Sequence, residues 1–107
     1  MRVSLLTEAS ADLDDIAAYI RRHNPRRARS FVHELMRKIF GLSTMAESFR
    51  VVPQYATSGL RRRVHKPCQI FYIADVTQHV VHVVRVLHTS RDTDPLLLHF
   101  ERGVPRE

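Results

Sequence analysis

Within its 107 residues the chain has only one cysteine, two lysines and three glycines. Cys68 alone can form no internal disulfide and no paired-cysteine zinc site, so a packing role in a reducing compartment is expected. No glycine-rich phosphate loop and no nucleophile elbow is present. No apolar run approaches the roughly 18 residues of a membrane span, and the opening MRVSLLTEASADL turns acidic where a signal peptide would stay apolar. The expectation is a cytoplasmic protein that does not engage a membrane. Without repeats, low-complexity tracts or linkers, residues 1–107 read as one domain, large enough to bury about two thirds of its unfolded surface.

What the chain has in excess is arginine. Fifteen Arg and two Lys against eleven Asp and Glu give a formal charge of +6 and a pI near 10.4. That balance favours a polyanion or an acidic protein as partner, and arginine is the residue that grips phosphate and carboxylate in two places at once. Arginine-rich codon usage explains the same bias without any partner.

The stretch Gly59–Asp92 holds the clearest strands. Leu60–Lys66, Cys68–Ala74 and His79–His88 are short, rich in β-branched and aromatic residues, and bounded by Gly, Pro or polar turns. Their links are too short for a parallel crossover, so they form a three-stranded antiparallel meander. Arg2–Leu6 is a further short strand that pairs with this sheet.

Between them lie two helices. Ala9, Leu13, Ile16, Ala17 and Ile20 share one face of a helix running to about His23, with Thr7 or Ser10 as its cap and carboxylates in its first turns. Asn24 and Pro25 end it and open a second helix of about five turns, in which Ala28, Phe31, Val32, Leu35, Met36, Ile39, Phe40 and Leu42 make a continuous stripe. Arg26, Arg27 and Arg29 give the hairpin a cationic bend, which reads first as a solvated face. Ser43–Ser58 has no period and reads as a long loop, with Glu47, Arg50 and Tyr55 as minor candidates. Leu96, Leu97, Leu98 and Phe100 form an apolar patch after the sheet. The fold class is α+β, with the helices packed on one face of the sheet.

Strand alternation puts Leu60 and Val64 on one face and Arg61, Arg63 and His65 on the other. The expectation is that the helices cover the Leu60 side and leave the basic row open. In the last strand Val80, His82, Val84, Val86 and His88 alternate with Val81, Val83, Arg85 and Leu87, as in a central strand buried on both sides. Cleaving RNA through its own 2′-hydroxyl needs a base, an acid and cations on the phosphate, which His88 or His82 with Arg61, Arg63 or Arg85 could supply. Seven histidines in a basic chain also produce such sets by chance, and a histidine among strand valines is more often packed than catalytic. His79 and His82, expected on opposite faces of a strand, make a poor metal pair, and no metal or cofactor is expected.

The ordered set of Ala11, Asp12, Leu13, Ile16, Tyr19 and Ile20, then Ala28 and Phe31, then GLR at Gly59–Arg61, IFY at Ile70–Tyr72, and VRVLH at Val84–His88 with Arg91 and Asp92 resembles the RelE/ParE superfamily of bacterial type II toxins. The long second helix and the GLR, IFY and VRVLH..RD pieces resemble its ParE branch of plasmid-stabilisation toxins. The Ser43–Ser58 segment departs from that branch in lacking Pro-x-x-Gly-Arg before GLR.

The resemblance implies a toxin that poisons DNA gyrase by trapping it on cleaved DNA, without catalysing a reaction itself. It also implies neutralisation by a small antitoxin whose disordered, acidic C-terminal segment wraps the toxin, with the antitoxin carrying the complex's binding to operator DNA. The residues expected to meet partners are Arg61, Arg63, His65, Arg85, His88 and Arg91. The RelE branch implies instead a ribosome-dependent mRNA endoribonuclease using His88, Arg85 and Arg61, with His99 near the chain end as a further candidate. A third reading is a non-toxic antitoxin-binding co-repressor.

Overall fold

The structure, a computed structural model, describes residues 1–88. The expected turn at Thr89–Pro95, the apolar patch at 96–100, Arg91, Asp92 and His99 lie outside the described residues. Strand β1 (Arg2–Leu5) leads into helices α1 (Thr7–His23), α2 (Pro25–Phe40) and α3 (Leu42–Met45). A 3-10 segment (Pro53–Ser58) then precedes β2 (Arg61–His65), β3 (Cys68–Asp75) and β4 (Val80–His88). The sheet order is β1-β4-β3-β2, with β1 parallel to β4 and the other pairs antiparallel. The expected meander and pairing of the first strand are therefore present, and β4 is a central strand.

The helix bend forms as its residues dictate. Asn24 Oδ1 accepts the Arg27 amide at 3.3 Å, and Pro25 begins α2, where its missing N–H costs nothing. Neither Thr7 nor Ser10 caps α1 through its side chain; Leu6 takes the capping position. The Leu6 amide donates to the Val83 carbonyl at 3.0 Å, so the chain is still bound as strand where the helix starts and no polar cap fits between. The expected loop at 43–58 is also more ordered than read. It contains most of α3 and the 3-10 segment, and Tyr55, a minor candidate, is buried.

Two cores lie on the two faces of the sheet. On the helix side Phe31, Leu35 and Ile39 of α2 and Ala9 of α1 pack on Cys68, Ile70, Tyr72, Val81, Val83 and Val86. On the far side Leu60, Phe71, Ile73, Val84 and Leu87 pack with Val52 and Tyr55. The helices thus occupy one face of the sheet, as expected, but not the Leu60 face. The register places Arg61, Arg63 and His65 opposite Tyr72, Ile70 and Cys68, which form the floor beneath the helices. The basic row lies at the edge of the helix layer. The alternation of β4 also breaks, because Phe71 faces Arg85 while Tyr72 faces Val83, leaving Val84 as an extra residue. This bulge puts Val81, Val83 and Val86 on the helix side and Val84 and Leu87 on the other.

Gly59 joins the 3-10 segment to β2 at φ 73°, a left-handed conformation in which a Cβ is unfavourable.

Candidate functional site

The basic row is held by backbone carbonyls. Strand β2 ends the sheet, so its long side chains can lie along the helix layer with their stems packed and their charged heads at its rim. Arg61 donates to the Phe49 carbonyl at 2.6 Å, and Arg63 donates to the Lys38 carbonyl at 2.9 Å. Lys38 is in the last turn of α2, where carbonyls lack helical partners and the macrodipole is negative, so a guanidinium is well placed there. The Arg63 guanidinium also stacks on Phe49, 4.6 Å from the ring centre. The row is not the open cationic face that alternation predicts. Arg62, on the far side of β2, is exposed and donates to Gln69 Oε1 at 3.2 Å.

His65 closes the row against α2. Its ring stacks on Phe31 at 5.2 Å between centroids, and Nε2 stands 3.6 Å from Glu34 Oε1. Burial holds this imidazole below its ordinary pKa, and the positive field of Lys38 adds to the effect, with Glu34 pulling the other way. Glu34 is itself held low, first by the two hydrogen bonds it accepts from Arg27 at 2.9 and 3.0 Å.

Arg85 makes the strongest polar contact. Its Nε and one terminal nitrogen donate to the two oxygens of Asp12 at 2.7 and 2.8 Å, and the Val86 amide donates to the same carboxylate at 2.9 Å. Strand β1 ends opposite Val83, so Asp12 meets an amide beyond its reach. The pair is largely buried, with side-chain exposures of 14% for Arg85 and 9% for Asp12. Asp12 holds the Arg85 guanidinium above its usual pKa. Sequence reading passed over this role of Asp12. The available signal was its position three residues after Ala9 and four before Ile16, inside the apolar stripe, where a carboxylate needs a partner.

The candidate histidines are divided by the sheet. His82 pairs across from Ile73 on the far face, whereas His88 pairs across from Cys68 on the helix side. His79 is not in the strand but in the preceding turn, at φ 61°. Among the described residues no group of three His, Cys, Asp or Glu side chains is placed to hold a metal. Cys68 is buried in the core, and burial pushes its thiol up to about 11.

Beside the Asp12–Arg85 pair a cleft of about 530 Å³ opens between α1 and the ends of β3 and β4. Ile16, Ile20, Phe31, Cys68 and Val86 supply its apolar lining; Asp12, Asp15, Arg22 and His88 add polar groups. Tyr19, also in the lining, is 52% exposed, and its ring meets His23 at 4.2 Å. The cleft brings His88 beside Asp12, while Arg61 and Arg63 lie elsewhere on the same side of the sheet.

This architecture is that of solved bacterial toxins. The chromosomal ParDE toxin–antitoxin system from P. aeruginosa contains a chain that superposes with a TM-score of 0.69 at 19% identity, over 82% of this chain and 95% of that one. A chain of the RelBE2 complex from Mycobacterium tuberculosis matches with a TM-score of 0.62, also at 19% identity, over 81% and 95%. No curated protein matches the sequence significantly. The family model for the ParE toxin of the type II toxin–antitoxin system parDE matches residues 3–93. The chain belongs to that family of toxins.

Among the described residues no helix is long and apolar enough to cross a membrane.

Proposed function

We propose that this ParE-family toxin acts on DNA gyrase as a binding poison, that residues 1–107 work as one domain in the cytoplasm, and that a cognate antitoxin neutralises it by laying its C-terminal segment into the cleft beside α1. The observation that carries the choice of gyrase over mRNA is the state of the basic side chains. A nuclease needs cations free to meet phosphate and a proton donor and acceptor on one side of it. Here Arg61 and Arg63 are bound to backbone carbonyls and Arg85 to Asp12, while His82 and His88 are on opposite faces of the sheet. That arrangement argues against a catalytic role for these side chains. The antitoxin reading is supported by the apolar lining and the exposed ring of Tyr19, the features by which a groove accepts a segment that orders on binding. It also agrees with the two structural neighbours, both drawn from toxin–antitoxin systems. In such a complex the antitoxin would supply the operator-DNA contacts.

The test is expression without the antitoxin, with DNA breaks and mRNA cleavage assayed side by side. Growth arrest with gyrase-dependent breaks and intact mRNA is expected. Cut mRNA with intact DNA would replace this reading with the ribonuclease, and unaffected growth would leave only antitoxin binding. Tyr19→Arg is expected to keep toxicity and lose rescue by the antitoxin, which separates the cleft from the target.

A further inference from the structure

Five arginines fall within nine residues at the far end of the helical hairpin: Arg21 and Arg22 in α1, and Arg26, Arg27 and Arg29 in α2. Asn24 alone separates the two helices, so these side chains crowd one tip of the molecule, and all five are exposed. No carboxylate occurs between Asp15 and Glu34. Of the five, Glu34 pairs with Arg27 alone, and among the described residues Arg21, Arg22, Arg26 and Arg29 make no side-chain hydrogen bond or ion pair. Those at the start of α2 face the positive end of its dipole, where cations cost helix stability. Arg21, Arg26 and Arg29 therefore take no part in side-chain pairing or in the cleft, whereas Arg27 is tied to Glu34 and Arg22 also lines the cleft.

We infer that this bend is a docking surface for the phosphate backbone of duplex DNA. Unpaired, exposed guanidiniums on a convex tip match a surface of regularly spaced phosphates, whose contacts set position and affinity without reading sequence. An acidic peptide that orders on binding requires apolar anchors, and a single strand requires aromatic platforms. Of the residues between these arginines, His23, Asn24, Pro25 and Ala28, only His23 carries an aromatic ring, and Ala28 is buried. That one ring is tilted against Tyr19 at 4.2 Å between centroids, so it offers no open platform. The inference is independent of the target proposed above.

The experiment measures binding of the full chain to a labelled duplex of about 20 base pairs by fluorescence anisotropy across a salt series, since phosphate contacts read out as salt dependence. Four free arginines on phosphates give a log–log slope of about −3.6, so affinity should fall roughly 100-fold between 50 and 200 mM salt. The triple variant Arg21→Ala, Arg26→Ala, Arg29→Ala should lose about 2.7 of that slope. A charge-matched control, Arg2→Ala, Arg37→Ala, Arg50→Ala, removes exposed arginines elsewhere and should keep it. Thermal melting of the bend variant should be no lower than that of the parent; if it is lower, the Arg→Lys triple variant must retain DNA binding. Equal loss in both alanine variants, no binding at 50 mM salt, failure of the lysine variant to bind, or stronger competition by single-stranded RNA or polyglutamate than by duplex DNA would each overturn the inference.

Discussion

Asp12 and Arg85 are 73 residues apart in sequence, yet a bidentate pair joins them across the α1–β4 junction, and the same carboxylate accepts the Val86 amide. A contact of this kind is costly to break on one side only, because the surviving charge is left buried without its counter-ion.

Asp12→Leu and Arg85→Met, made singly, are therefore expected to destabilise the protein by about 3–5 kcal/mol each, read from urea denaturation midpoints. The double variant should lose much less than the sum, since it removes both charges together. Additive losses in the double-mutant cycle would contradict the coupling.

His65 gives a pH dependence whose sign follows from its lowered pKa in the fold. Between the folded value and the ordinary value of about 6.5 the unfolded chain binds the extra proton, so stability is full above that window and falls as pH drops through it. His65→Gln should flatten the slope between pH 7.5 and 5.5 in equilibrium unfolding. Glu34, also held low, contributes in a separate window, and its share is lost as pH falls below about 4.5.

Arg63 holds a helix-end carbonyl and covers an aromatic ring at the same time. Arg63→Ala should destabilise by about 1–2 kcal/mol. Arg62→Ala, exposed on the far side, should change stability by less than about 0.5 kcal/mol. Equal effects of the two in thermal or urea unfolding would show that the row is not part of the packing.

The thiol of Cys68, buried and pushed up to about 11, should resist alkylation in the native protein at pH 8 and react readily in denaturant. Mass spectrometry before and after unfolding checks this.

Tyr72 donates to the Ala46 carbonyl at 2.8 Å from within the helix-side core, tying the chain after α3 to the sheet. Tyr72→Phe leaves that carbonyl without its donor and should lower stability by about 1–3 kcal/mol in urea unfolding.

The strands, both long helices and the Asn24–Pro25 bend were legible because each rests on local pattern: period two, period 3.6, and a cap followed by proline. Which face of the sheet the helices cover was not. Reading Arg61, Arg63 and His65 as open assumes that charge seeks water, whereas an edge strand lets arginine stems pack while their heads find carbonyls at a helix end. The bulge at Val84 was hidden for a related reason. Four valines and a leucine around it satisfy either face, so composition cannot reveal one inserted residue. Of the site, the cationic residues were visible as residue types, but their partners Asp12, Phe49 and Lys38 come from distant segments that only folding brings near.

Where β1 stops opposite Val83, β4 runs on to His88, and a strand amide left without a partner is a template for accidental pairing with other chains. Asp12 occupies the Val86 amide with a carboxylate that Arg85 holds in place from a second direction. An intruding strand would have to expel a paired charge before forming its first rung there. The same three groups that lock helix to sheet thus close the Val86 position to a foreign strand, and a variant lacking Asp12 should precipitate faster, by light scattering, than its loss of folding stability alone accounts for.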